Sequence, residues 1–292
     1  MRVSNQMMAE NVKLNLSRIS TQLVKSAEQI ASGKRINRIS DDPIGMERAL
    51  DYRQQLSRME QYSTNITNAK LHIDTVDTIL ETITDLLNNA QDYASDADPS
   101  QRETFANEVG LLRDQVLQLA NSQSNGQYLF NGDDSDTQPF DSTTGAYAGG
   151  TGTKDFLIGE GQQVNLIAEG LDIFQGSNPD DVFSVLESLQ DELALGDAAD
   201  SDAISSHMAL LEDAIDQINA VRAENAGRYN RLEASENHYA NFTLNVENLL
   251  SSTEDVDMAS AIIDYQVQQT AYESTLSVSA QIIQKSLIDF IG

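Results

Sequence analysis

The sequence predicts a mainly α-helical, elongated protein with a small β-rich insertion: N- and C-terminal helices paired as a coiled coil, an antiparallel helical bundle, and a β-rich outer domain. Three observations carry this. Apolar residues recur at alternating spacings of three and four along several long stretches, the 3.5-residue period of helices that pair along one stripe. Ten of the sixteen glycines fall between residues 126 and 178, where that period is absent. The chain runs out along helices and returns along helices, so both termini come to one end of a rod.

Near the start, Val12, Leu16, Ile19, Leu23, Ser26 and Ile30 form the first stripe. From Met59 to Ala90 the series Met59, Tyr62, Ile66, Ala69, Ile73, Val76, Leu80, Ile83, Leu87, Ala90 predicts one long helix with a single buried face. Phe105, Val109, Leu112, Val116 and Leu119 mark a second helix, antiparallel to the first. Asp98-Pro99-Ser100 separates them, since proline ends a helix and Ser100 can cap the next.

After Gly126 short strand-like runs stand at Gln127 to Phe130, Asp155 to Ile158 and Gln163 to Ala168. Asn131-Gly132 and Gly149-Gly150 are turn signals, and Gly149, Gly150 and Gly152 before Lys154 read as a hairpin. Helical spacing returns with Phe183, Leu186, Leu189 and Leu193 and breaks over 196–202. The next helix places Leu211, Ile215, Ile218, Arg222, Asn225, Tyr229, Leu232, Glu236, Tyr239, Thr243, Val246 and Leu250 on one seam. Polar residues in such a seam weaken it but fix register. Gly227 lies inside this helix, where glycine is unfavourable by about 1 kcal/mol, and points to close backbone approach or a bend.

The last helix carries the seam Met258, Ile262, Tyr265, Gln269, Tyr272, Leu276, Ser279, Ile283, Ser286, Phe290. Ile263, Val267, Ile288 and Ile291 project from the opposite face, where a two-helix partner does not reach. These residues, with Leu287, call for contacts from other subunits. The organisation is a terminal coiled-coil assembly domain (1–43 with 254–292), a helical bundle domain (44–125 with 179–253) and a β-rich outer domain (126–178).

The chain of 292 residues has no cysteine, which excludes a disulfide scaffold, zinc-thiolate sites and a cysteine nucleophile. No stretch approaches 18 consecutive apolar residues, and the N-terminus lacks a basic-then-apolar leader, so neither a membrane span nor conventional secretion is expected. Of the formal charge of −28, residues 1–70 hold 11 Lys and Arg against 7 Asp and Glu, leaving 7 against 39 for the rest. That acidic body argues against a nucleic-acid partner, because phosphates would be repelled.

No catalytic or cofactor constellation emerges. His72, His207 and His238 are far apart and none opens a His-Glu-x-x-His motif, so each is read as an exposed or capping side chain. The acids at Asp133, Asp134 and Asp136, and at Asp197, Asp200 and Asp202, lack the calcium loop's glycine and closing glutamate. No serine sits in a nucleophile elbow.

One segment is more specific. Ser32, Gly33, Lys34, Arg35, Ile36 and Asn37, followed by Ser40, Asp41, Asp42 and Pro43, end one helix and open another. Gly33 suits a left-handed turn, Ser40 or Asp41 can cap, and Pro43 fits a first turn. This segment resembles the N-terminal signature of the bacterial flagellin superfamily, and its Asp-Asp-Pro ending resembles the hook-filament junction branch. Asn125 to Gly132, Arg222 to Glu233, Leu250 to Ala259 and the ending Ser286 to Ile291 are similar to that branch as well. The resemblance implies a flagellin-like rod without enzymatic activity or cofactor, exported by the flagellar type III apparatus and extracellular. It implies self-assembly as a ring between an adjacent hook-associated junction protein and the first flagellin subunits, with an export chaperone covering the C-terminal helix.

Filament flagellin is the nearest alternative, and its Leu- and Gln-rich ending separates it from this chain. An enzyme displayed on the filament would need active residues in the glycine-rich insertion, where no zinc motif or nucleophile pattern stands. A coiled-coil translocator or adhesin would need an apolar membrane-binding segment.

Overall fold

The computed structural model describes residues 2–96, 98–134, 136–167, 170–175 and 181–291, with side chains except at 2–6, 8–9, 167 and 281–291. The elements are α1 (Arg2–Ser32), α2 (Pro43–Ser95), α3 (Arg102–Ala120), β1 (Gln123–Ser124), β2 (Gln127–Tyr128), β3 (Thr153–Gly159), β4 (Gln162–Ile167), α4 (Gly170–Phe174), α5 (Val182–Ala194), a 3-10 turn (Gly196–Ala198), α6 (Ser201–Glu254) and α7 (Met258–Ile291). They form two compact units, Met1–Arg58 with Asn241–Gly292, and Met59–Ala240. The sequence places its domain boundaries at 43/44 and 253/254 instead. It also sets 126–178 apart, whereas Leu129, Phe130, Phe140, Ile173 and Phe174 share one apolar core with residues of the helices in the larger unit.

In that unit the α2 stripe is buried at every position from Ile66 to Ala90 that the spacing singles out. α2 is rich in threonine, a poor helix former, yet Thr64, Thr67, Thr75, Thr78, Thr82 and Thr84 each donate the hydroxyl to the carbonyl four residues earlier. On α6, Leu211, Ile215, Ile218, Asn225 and Leu232 are buried and Arg222, Tyr229, Glu236 and Tyr239 half-buried. The polar positions are paired: Arg222 Nε donates to Asp77 Oδ1 at 2.8 Å, Lys70 Nζ to Glu236 Oε2 at 2.9 Å, and Arg228 Nη1 to Asn225 Oδ1 at 3.2 Å. Bonding to Asp77 raises the Arg222 pKa, and bonding to Glu236 raises that of Lys70. The first two cross between α2 and α6 and fit only one register of the two helices, whereas the third lies within α6.

Three local expectations change. Ser100 does not cap α3; its amide bonds Asp98 Oδ1 at 3.4 Å, and Gln101 occupies the cap position without a side-chain bond. The Gly149 to Gly152 run is no hairpin. The hairpins are β1–β2, turned by Asn125-Gly126, and β3–β4, turned by Glu160-Gly161. The glycine run packs against Asn131, which is fully buried: Gly150 N donates to its Oδ1 at 2.9 Å, and its Nδ2 donates to Thr137 O at 2.7 Å. Ala168, the predicted end of the last strand, lies outside the described residues. At Gly227 a Cβ would meet nothing within 4 Å, so no close approach explains that glycine, and α6 continues through it.

Candidate functional site

In the smaller unit, two connections lie side by side: residues 33–42 between α1 and α2, and 255–257 between α6 and α7. α1 stops because Gly33 adopts φ +70, the left-handed conformation that ends helices and that a Cβ disfavours. The chain then forms a short antiparallel bridge, Lys34 opposite Asp255. Arg35 N donates to Glu254 O at 2.6 Å and Val256 N to Gly33 O at 3.0 Å. Ile36, 2% exposed, is the apolar plug of this joint.

Charges lock it. The Glu254 carboxylate, 6% exposed, accepts from Lys34 Nζ at 2.7 Å and from Arg53 of α2. Arg35 Nη2 donates to Thr253 O at 2.7 Å, covering an orphan carbonyl at the end of α6, and Arg35 Nη1 reaches Asp42 Oδ2 at 3.3 Å. The cap of α2 is Asp42, not Ser40 or Asp41: its Oδ1 accepts from Gly45 N at 2.9 Å, with Pro43 in the first helical position. That bond from Gly45, aided by Arg35, lowers the Asp42 pKa. Asp41 instead ties down the preceding turn, pairing with Lys25 at 2.9 Å and accepting from Arg38 N at 3.1 Å and Asn37 N at 3.3 Å. Lys25 is the leading cause of its lowered pKa. Ser32 Oγ accepts from Lys34 N at 3.1 Å and Asn37 Nδ2 donates to Lys34 O at 3.1 Å. Asp257 caps α7 through Ala259 N at 3.0 Å and Ser260 N at 3.3 Å.

Sequence reasoning missed Gly45 and the clamp of Glu254 with Arg53. A Cβ on Gly45 would lie 2.5 Å from Asp42 Oδ2 and 2.6 Å from Ile36 Cδ1, a constraint only the folded joint reveals. For Glu254 a signal existed: an acid in the last turn opposes the helix dipole, so it needs cations nearby.

Beyond the joint α1 pairs with α7, and Ser26 Oγ donates to Gln268 Oε1 at 2.9 Å. On α1 the seam is as expected: Val12, Leu16, Ile19, Leu23 and Ile30 are half-buried and Ser26 is buried. On α7 it differs. The covered positions are Ala261, Tyr265, Gln268, Ala271, Tyr272, Thr275 and Ser279, whereas Met258, Ile262, Gln269 and Leu276 are exposed. Small and polar side chains face α1. The bulky aliphatics point away, with Ile263 60% and Val267 63% exposed. Ile283, Leu287, Ile288, Phe290 and Ile291 lie outside the residues whose side chains are described.

The two units differ sharply. Among the described residues, 15 of 20 exposed large hydrophobics belong to the smaller unit, but of the 40 buried hydrophobic residues, alanines included, it holds only Ile36, Ala49, Val246 and Ala261. Patches of this kind mark surfaces that other protein covers. The histidines do not gather: His72 and His207 are half-buried inside different helices, neither exposed nor capping as expected, and His238 is exposed. Among the described residues no three His, Asp or Glu side chains converge to hold a metal, and no helix is long and apolar enough to cross a membrane.

The model of the bacterial flagellin N-terminal helical region matches residues 3–135, and that of the flagellin C-terminal helical region matches 208–291. Flagellar hook-associated protein 3 of Escherichia coli K12 is 29% identical over 301 residues, covering 94% of this chain and 95% of that protein. Its namesake from Salmonella typhimurium LT2 is 27% identical over 300 residues, with the same coverage. The solved structure of flagellar hook-associated protein 3 from Legionella pneumophila, 15% identical, superposes with TM-score 0.63 over 69% of this chain and 97% of that one, which supports the fold. Both ends of the polypeptide thus match the two helical regions of one family of structural flagellar proteins, and the chain belongs to the bacterial flagellin family.

Proposed function

We infer that this chain is the junction subunit that joins the flagellar hook to the filament, a structural and non-enzymatic role. The observation that carries the reading is the outward face of α7: its small, polar and tyrosine side chains are covered, while its aliphatic side chains Ile262, Ile263, Val267 and Leu276 face outward, so a single copy leaves them in water. Neighbouring copies, arranged as a ring through the terminal helices, supply the missing contacts. The assembly surface comprises the α1 seam and Ile262, Ile263, Val267 and Leu276, continuing toward Ile291. The adjacent hook-associated protein and the first flagellin subunits are the partners at the two rims. The same apolar face, exposed before assembly, suits cover by an export chaperone and then secretion to the cell exterior.

Removing residues 254–292 tests this. The larger unit keeps its own core and should remain folded, while incorporation into flagella should stop. A strain lacking the whole chain should release unpolymerised flagellin into the medium. Normal filaments in either case overturn the reading.

A further inference from the structure

We propose that Glu254 is a positioning residue for assembly: one buried carboxylate, shared between Lys34 and Arg53, fixes the exit of both terminal helices at once. The proposal rests on the reading that the terminal helices polymerise. Three observations support it. Glu254 is the last residue of α6, Lys34 is the second residue beyond α1, and Arg53 lies in the third turn of α2, so one side chain ties together three helices. The backbone bonds Arg35 N to Glu254 O and Val256 N to Gly33 O hold the two connections in register next to it. The carboxylate is 6% exposed, whereas the side chains of Lys34 and Arg53 are 37% and 42% exposed. Loss of the acid therefore leaves cations that water can reach, and loss of the cations leaves a buried, uncompensated anion.

Arg35 spans the same elements, but through side chains open to water: its own is 48% exposed and that of Asp42 33%. Arg35 links Thr253 to Asp42, and Asp41 links Lys25 to its own turn. Without Glu254, α1 and α7 stay covalently attached and keep their mutual seam, but their departure from α2 and α6 is no longer set. A ring of identical copies needs the same departure in every copy, so scatter there blocks closure even when each subunit is folded.

The test uses full-length Glu254→Gln, Lys34→Gln/Arg53→Gln and the triple variant. Hydrogen exchange of the isolated protein should rise about tenfold or more at the Arg35 and Val256 amides, with Leu80 and Leu186 unchanged. Incorporation into flagella should fall about tenfold, and the triple variant should be no worse than either parent, as for groups acting as one unit. Glu254→Asp keeps the charge and should retain part of the protection. Unchanged exchange at Arg35 and Val256, wild-type incorporation despite lost protection, or faster exchange throughout the larger unit each overturns the proposal. If the 254–292 deletion also assembles normally, the junction reading falls with it; if only Glu254→Gln does, the reading stands and the positioning role is gone.

Discussion

The imidazole of His72 on α2 lies 6.3 Å, centroid to centroid, from the ring of Phe156 on β3, and its Nε2 is buried without a hydrogen-bond partner. Burial, with Lys154 adding to it, lowers the His72 pKa from 6.5 to about 4. The folded protein therefore keeps His72 neutral where the unfolded chain takes up a proton. Stability from this site is complete above pH 6.5 and is lost as pH falls from 6.5 toward 4. At about 1.4 kcal/mol per pH unit the loss is at most about 3 kcal/mol. Urea unfolding of the wild type between pH 7.5 and 4.5 should show this slope, and His72→Gln should flatten it.

Gly45→Ala should destabilise the smaller unit by about 1–3 kcal/mol, because its Cβ collides with the Asp42 cap and with Ile36. Proteolysis near residues 33–42 should accelerate while the unfolding transition of the larger unit stays in place.

Gly227→Ala should act in the opposite direction. Its Cβ enters open space on an exposed helical face, so the isolated protein should gain about 1 kcal/mol, read as a higher urea midpoint. A gain in the subunit joined to a loss in assembly would show that a neighbouring copy uses this gap.

Ile263→Asp with Val267→Asp changes two exposed positions of α7. The isolated protein should shift by no more than about 0.5 kcal/mol, as surface substitutions do, whereas incorporation into flagella should be lost. Equal effects on both would place these residues inside the subunit and remove them from the proposed interface.

The long helices were legible because one residue in three or four repeats over ten turns, and Ile66 through Ala90 is buried as the spacing requires. Polar seam positions were legible too, although their partners Asp77 and Lys70 were not, since a pair separated by more than 140 residues leaves no local trace. α7 misled for a physical reason. The expected seam and the observed contact share Tyr265, Tyr272 and Ser279, but the other half of the contact runs through Ala261, Gln268 and Thr275, while Ile262 and Leu276 face away. Size marks the stripe most in need of cover, and in an assembling subunit that stripe belongs to other copies. The Gly149 to Gly152 run misled because glycine serves close approach as well as turning, and here Asn131 presses on it. The family signature located the joint but not its clamp, since only folding brings residues 34, 53 and 254 together.

The β3–β4 hairpin closes at Glu160-Gly161, both exposed, with Gly161 at φ +68 and nothing near the position its Cβ would take. Lengthening such a tip disturbs no packing, and each doubling of a flexible loop adds only about 0.6 kcal/mol of closure entropy. Foreign epitopes or affinity tags spliced there should ride on the folded subunit as passengers, making this turn a natural handle for display and for imaging labels.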